Sequence, residues 1–218
     1  MWDEAVAAVR ARDIDALARL VLQDPEVVHA RGPEGLSLLM LAVYQRAPEV
    51  VAYLRECGVE PDVFEAAAIG DADRVRTLLA HQPGLVKATS GDGWTPLHLA
   101  AHFGQQECVR ALLAGGAEVD ARSANANGNT PLHAAAAGAQ PEAIEQLLAR
   151  GADPRALDAQ GHTPLHIAAG AGPAASLAAL LDAGAPPAAR NKDGKTALDV
   201  ARERSKPEIA TFLEHRTR

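Results

Sequence analysis

A four-residue motif recurs at nearly constant spacing through the second half of the chain. Three copies read Thr-Pro-Leu-His and a degenerate fourth reads Thr-Ala-Leu-Asp, and they begin at Thr95, Thr130, Thr163 and Thr196. Successive copies are 35, 33 and 33 residues apart, and a Gly lies two residues before each one. Self-similarity at a period of roughly 20–50 residues is typical of stacked repeats. We therefore predict a repeat architecture rather than a globular domain.

Each copy contains the residue types that begin a helix. Thr at the N-cap accepts hydrogen bonds from free backbone amides, and Pro at the first helical position loses no hydrogen bond there. His falls at the third helical position, where a side chain can reach back to the cap. Leu and a following pair of small residues make a short apolar helix A. A second helix, B, supplies pairs such as Leu112-Leu113 and ends at a Gly.

Over residues 91–214 this pattern resembles the ankyrin repeat. The resemblance implies an all-α repeat solenoid in which short β-hairpin fingers connect helix pairs. It also implies that a protein partner lies along the finger tips and the exposed side of helix A. The last repeat has the polar residues Arg202, Glu203, Arg204, Lys206 and Glu208 where a further repeat would stack, which is typical of a terminal cap.

A second periodicity organises the first half of the chain. Residues 5–62 align without a gap with residues 63–120, and 17 positions are identical. The offset of 58 equals 25 plus 33, so we interpret each unit as a short repeat followed by a full-length one. The short repeats begin directly with helix A, near Asp3 and Asp62, and lack the β-hairpin. This predicts one domain, 1–218, of seven repeats: 3–30, 31–61, 62–88, 89–122, 123–155, 156–188 and 189–216.

Composition agrees with thin layers of closely packed helices. Ala supplies 48 of the 218 residues and aromatic residues only 3%, and so many small side chains cannot fill a wide interior. The net charge is −7 and no Lys/Arg stripe is present, so we expect no nucleic-acid partner. The chain has no signal peptide or apolar spanning run, so we expect no membrane partner.

The remaining composition bears on source and compartment. The two Cys residues form no CxxC pair and suit a reducing, cytoplasmic setting. Arg outnumbers Lys 17 to 4 and Ala is abundant, as in the products of GC-rich genomes, which favours a bacterial source.

Chemical activity has no positive signal in the sequence. His98, His133 and His166 occupy one position in successive repeats, which lie too far apart for the rings to share one ion. No nucleophile motif and no phosphate-binding loop is present. We therefore predict no catalytic residue, no metal site, no cofactor and no enzymatic activity.

The expected binding positions hold an unusual share of the aromatic residues. Three of the seven aromatic residues, Tyr44, Trp94 and Phe103, fall on them, and exposed aromatics favour interfaces. We predict that the partner contacts Tyr44, Gln45, Ile69, Trp94, His102 and Phe103. In the alternative interpretation, Tyr44 and Phe103 pack against neighbouring helices and complete the core. The longer loop Asn125–Asn129 is a possible second contact.

These expectations define the functional hypotheses. The leading one is a monomeric adaptor or inhibitor that binds an unidentified folded protein. Within that class, an immunity-type inhibitor would cover the active site of a partner enzyme. The other alternative is a structural scaffold that associates with itself through its Ala-rich surface.

Overall fold

The computed structural model describes residues 1–32 and 35–216, which form seven consecutive pairs of α-helices. The odd-numbered helix of each pair is helix A and the even-numbered one is helix B. The helices are α1 (Trp2–Ala11), α2 (Ile14–Gln23), α3 (Leu38–Tyr44), α4 (Pro48–Glu56), α5 (Val63–Ile69), α6 (Ala72–His81), α7 (Pro96–His102), α8 (Gln106–Ala114), α9 (Pro131–Ala137), α10 (Pro141–Ala149), α11 (Pro164–Ala171), α12 (Ala174–Asp182), α13 (Ala197–Glu203) and α14 (Pro207–Arg216). The predicted all-α repeat solenoid is confirmed.

The repeats stack in line. Each helix A packs against the helix A of the next repeat, from α1 through α13, and α6, α8, α10 and α12 form a parallel row of B helices. Helices A and B of each repeat also contact one another. None of the helices in residues 1–32 and 35–216 combines the length and apolar character needed to span a bilayer.

Small side chains allow the A helices to pack closely. One position in the middle of helix A is completely buried in every repeat, and it is Val9 in the first repeat and Ala in the other six. Those six are Ala42, Ala67, Ala100, Ala135, Ala168 and Ala201. Because Ala adds only one carbon beyond the backbone, neighbouring helices can approach until their backbones nearly touch. The high Ala content therefore lies in the core.

The core is divided along the stack. One cluster of buried side chains extends from Ala5 to Val59, and a larger one extends from Ala66 to Leu213. A small third cluster, formed by Met40, Val43, Ala68 and Leu99, lies between them. We call this third cluster the bridging cluster.

Turns precede helix A in five repeats, and we number them by repeat: turn 2 (31–32 and 35–37), turn 4 (89–95), turn 5 (122–130), turn 6 (156–163) and turn 7 (189–196). In turn 4, Ser90 N–H donates to Trp94 O at 2.8 Å, and Gly93 has φ of 81°. A Cβ on Gly93 would also lie 2.6 Å from Asn125 N, so this position needs Gly. Among the described residues, the turns show one isolated bridge, Arg31–Ser37, rather than the strand pairs of a β-hairpin.

The third repeat has no such turn. Asp62 caps α5 directly, since its carboxylate accepts from Phe64 and Glu65 N–H at 2.9 Å each. After the B helix of each short repeat, a 3-10 helix leads into the next turn, at Pro25–His29 and Pro83–Lys87. The row of turns is therefore interrupted between turn 2 and turn 4.

Candidate functional site

Three buried His rings connect each full-length turn to the next one. His98 Nδ1 accepts from Thr95 Oγ1 at 2.8 Å, and its Nε2 donates to Asn129 O in turn 5 at 2.9 Å. His133 and His166 repeat both contacts, with Thr130 and His162 O and with Thr163 and Lys195 O respectively. Sequence reasoning predicted only the local half, because the carbonyl acceptor belongs to the following repeat.

Burial keeps these rings neutral. It lowers the pKa of His98 to about 4, and it also lowers the pKa values of His133 and His166. In each ring, a neutral imidazole protonated on Nε2 satisfies both contacts. In the described residues, no group of three or more His, Cys, Asp or Glu side chains is arranged to hold a metal ion.

A continuous set of rings lies across the second to fourth repeats. Trp94 and His102 pack edge to face with ring centroids 5.3 Å apart, and His102 and Phe103 do so at 4.9 Å. Tyr44, from α3, lies 6.1 Å from Phe103. We call these four residues the aromatic surface. Helix A of the fourth repeat, the turn before it and helix A of the second repeat together position it.

The aromatic surface is partly core and partly exposed. Trp94 and Phe103 are half-buried and pack against the bridging cluster, whereas Tyr44 is 42% exposed. The predicted alternative, in which these rings complete the core, thus describes one side of Phe103.

Tyr44 also connects two repeats across the interruption in the turns. Its hydroxyl donates to Asp92 Oδ2 at 2.7 Å, and burial together with Asp92 raises the pKa of Tyr44 above its ordinary value. Asp92 O accepts from Asn125 Nδ2 at 2.9 Å. Hydrogen bonds therefore connect α3 to turn 4 and turn 4 to turn 5.

The other two predicted contact residues are placed differently. Ile69 is half-buried at the end of α5 and packs against the bridging cluster. Gln45 is exposed, and its backbone carbonyl accepts from Arg12 Nη2 at 2.7 Å. Ile69, Trp94 and Phe103 therefore pack against the bridging cluster. Tyr44 and His102 contact the ring of Phe103, and Gln45 follows Tyr44 in the chain.

A pocket of about 390 Å³ opens beside the aromatic surface. Turn 2 and turn 4 form its two walls, and the start of α5 forms its floor. Met40 and Tyr44 contribute from α3. We call it the repeat-three pocket because it lies where a turn of the third repeat would stand.

Comparison with known families decides what kind of repeat this is. A family model described as ankyrin repeats (3 copies) matches residues 63–158 and 135–217, which is well over half of the chain. The chain belongs to the ankyrin repeat family. Ankyrin repeats generally serve as protein–protein interaction modules and are typically not enzymes.

The ankyrin relatives are much longer proteins. Mouse oxysterol-binding protein-related protein 1 is 37% identical over 70 residues, 28% of this chain and 7% of the relative. Alpha-latrocrustotoxin-Lt1a of Latrodectus tredecimguttatus is 33% identical over 117 residues, 50% of this chain and 8% of the relative. Human GA-binding protein subunit beta-2 is 43% identical over 61 residues, 28% of this chain and 13% of the relative. The chain thus spans a small part of each.

Sequence reasoning missed the pocket within this ankyrin array. Its lining residues Arg31, Phe64 and Asp92 were not among the predicted contacts. The signal was nevertheless present, because the offset of 58 residues places a repeat without a turn between two repeats that have one. A missing turn removes side chains from one face of the stack and leaves the neighbouring turns apart.

Proposed function

We propose that this ankyrin array binds a folded partner protein through the aromatic surface, acting as an adaptor or an inhibitor. Family membership supports the general mode of action. The name of GA-binding protein subunit beta-2 describes a component of an assembly, which agrees with partner binding by related repeats. Gln45 and Ile69 would lie at the margin of the contact.

The observation that carries the proposal is a difference between equivalent positions. Trp94 and His102 pack edge to face in the fourth repeat, whereas the corresponding residues of the last repeat, Lys195 and Glu203, form an ion pair at 2.7 Å. The same backbone positions therefore accept a polar pair. Trp and Tyr are enriched where binding energy is concentrated, because they exclude water over a large rigid area.

The test uses these equivalent positions as matched variants. Trp94→Ala/His102→Ala removes the aromatic pair, and Lys195→Ala/Glu203→Ala removes the polar pair at the same places in another repeat. Wild type and both variants are used as baits in cells of the source organism, and a captured protein is then purified. We expect the first variant to bind it at least about 30-fold more weakly, as loss of a central hot spot requires.

The control variant should bind within about twofold of wild type, and circular dichroism should show equal helix content in all three proteins. Equal affinity of the two double variants for the purified partner would contradict the proposal. Light scattering separates the scaffold alternative, because a self-associating array would be larger than one chain. If the partner is an enzyme, inhibition of its turnover by wild type alone identifies an immunity-type inhibitor.

A further inference from the structure

Neighbouring turns in the second half of the array are joined by a backbone hydrogen bond. Ala124 N–H of turn 5 donates to Gly93 O at 2.7 Å, and Ala159 N–H of turn 6 donates to Asn127 O at 2.8 Å. Lys192 N–H of turn 7 donates to Gln160 O at 3.0 Å. Each turn therefore offers one amide, at one fixed position, to the turn that precedes it.

An Arg adds a second connection between turns 5 and 6. Arg122 Nη1 donates to Gly128 O of its own turn at 3.0 Å and also to Leu157 O of turn 6. Turn 5 thus supplies two groups to the edge of turn 6: a carbonyl that accepts from Ala159 N–H and a guanidinium that donates to Leu157 O, two residues earlier.

In turn 4, the amide and the carbonyl that would receive these two groups face the pocket instead. Counted from the residue whose N–H closes each turn, such as Ser90 in turn 4 and Asp158 in turn 6, Gly91 N–H corresponds to Ala159 N–H and Thr89 O to Leu157 O. Neither group has a hydrogen-bond partner among residues 1–32 and 35–216. Gly91 is exposed, and both residues line the repeat-three pocket.

On the opposite wall of the pocket, the described residues of turn 2 (31–32 and 35–37) do not supply these groups. Arg31 of turn 2 corresponds to Arg122, and its Nη1 donates to Gly35 O of its own turn at 2.9 Å. Its Nη2 donates to Asp62 Oδ2 at 3.2 Å and lies 3.7 Å from Glu65 Oε1. Packed helices lie about 8–10 Å apart, so turns 2 and 4 are separated by roughly twice that distance.

The charge of the pocket favours a cationic occupant. The carboxylates of Asp62 and Asp92 line it against the one cation Arg31, in the part of the chain that the structure describes. Leu36, Met40 and Phe64 add an apolar surface along which the carbon chain of a long basic side chain can lie. A segment that brings both a backbone carbonyl and a guanidinium fits these requirements.

We propose that the repeat-three pocket receives a turn of the partner protein that carries an Arg, so that the partner occupies the place of the missing third turn. Its backbone carbonyl accepts from Gly91 N–H and its guanidinium donates to Thr89 O. Exposed backbone edges are used for recognition in this way when an added segment continues their hydrogen bonding. The proposal rests on the proposed function and specifies which part of the partner enters the array.

The chain itself provides the probe for a test. A cyclised peptide with the sequence of residues 122–130 reproduces turn 5, including Arg122 and the carbonyl of Asn127. Titrating it into the isotope-labelled full-length protein should shift the amide resonances of Gly91 and its neighbours in turn 4. A peptide with Arg122→Ala should bind about tenfold more weakly, because a charged hydrogen bond to Thr89 O is lost.

Two substitutions at Gly91 separate the hydrogen bond from changes in shape. Gly91→Ala keeps the N–H and introduces the residue found at 124 and 159, so it should bind the peptide within about twofold of wild type. Gly91→Pro removes the N–H and introduces the residue found at the corresponding position 33, so binding should weaken at least about tenfold. No shift in turn 4 at millimolar peptide, or equal binding by both variants, would overturn the proposal.

The two proposals fail separately in one further measurement. The affinity of the purified captured partner is compared for Gly91→Pro and Gly91→Ala. Equal affinities together with a loss for Trp94→Ala/His102→Ala would reject the pocket and keep the aromatic surface. A loss of affinity for Gly91→Pro without a loss for Trp94→Ala/His102→Ala would reject the aromatic surface and keep the pocket.

Discussion

One position, three residues into helix A, illustrates how a single side chain adapts to its place in the array. In the fourth to sixth repeats it is His, which connects its own cap to the next turn. In the seventh it is Asp199, whose Oδ2 accepts from Thr196 N–H at 2.9 Å and therefore serves the local cap. In the third it is Glu65, which accepts from Ser37 Oγ of the preceding repeat.

Burial of the His rings predicts how stability depends on pH. The pKa of His98 is about 4 in the folded protein and about 6.5 in an unfolded chain. The unfolded state therefore binds more protons between these values. The contribution of neutral His98 to the free energy of unfolding is complete above pH 6.5 and is lost as pH falls towards 4. The free energy of unfolding changes by at most about 1.4 kcal/mol per pH unit because of this ring.

Replacing His98 by Gln should flatten that slope, because the amide retains a donor and an acceptor but does not titrate in this range. Urea unfolding of wild type and His98→Gln at several pH values between 4 and 7 measures the slope directly. His215→Gln, at an exposed position of α14, is the control and should retain the wild-type slope. An identical slope in His98→Gln would contradict the assignment.

At this scale, what the sequence could predict depends on how local the contact is. Thr95, Pro96 and His98 predicted the helix start because their chemistry involves residues within one turn of helix. The bond from His98 to Asn129 O could not be predicted, since it depends on how the next repeat is placed. Likewise, Tyr44 was predicted as a surface residue, but its bond to Asp92 requires the fold.

Among the secondary-structure elements, helices α7 and α9 approach each other closely at Gly138. A Cβ on Gly138, directly after α9, would lie 1.9 Å from His102 O of α7. No rotation of a side chain can relieve this contact because His102 O belongs to the backbone. The small residue at 138 therefore sets the distance between the two helices and so the position of His102 in the aromatic surface.

Gly138→Ala should accordingly lower the free energy of unfolding by roughly 1–3 kcal/mol, as overpacking does. Gly170→Ala, within α11, is the control, because a Cβ there would lie 3.5 Å from Val200 Cγ1 and make an ordinary contact. That change should raise stability by about 0.5–1 kcal/mol, because Ala is the better helix residue. Chemical denaturation of both variants measures whether each change raises or lowers the free energy of unfolding. A stabilised Gly138→Ala protein would contradict the packing argument.

For the whole molecule, the division of the core means that the stack is not equally strong along its length. The first two repeats have their own cluster, from Ala5 to Val59, and the bridging cluster lies between it and the larger cluster. In repeat proteins each unit is stabilised by its own fold and by its neighbours. The weak interface coincides with the missing third turn, since no backbone hydrogen bond between turns crosses it among the described residues.

The repeat solenoid could be predicted from the sequence, because the spacing of Thr95, Thr130 and Thr163 and the offset of 58 residues are properties of the chain alone. The division of the core could not, since Met40 and Leu99 are apolar residues like many others. Only the fold shows that they lie in a separate cluster between two larger ones.

This division predicts unfolding in two steps, with the first two repeats opening at lower denaturant than the rest. Hydrogen exchange under native conditions should therefore protect amides in α3 less than those in α9. Met40→Ala removes a buried side chain from the bridging cluster and should lower the midpoint of the first step, at a cost of about 2–5 kcal/mol. Leu180→Ala, within the larger cluster, should lower the second midpoint instead. A single transition that shifts equally in both variants would mean that the bridging cluster transmits stability as fully as the rest of the core, and the missing turn would then weaken nothing.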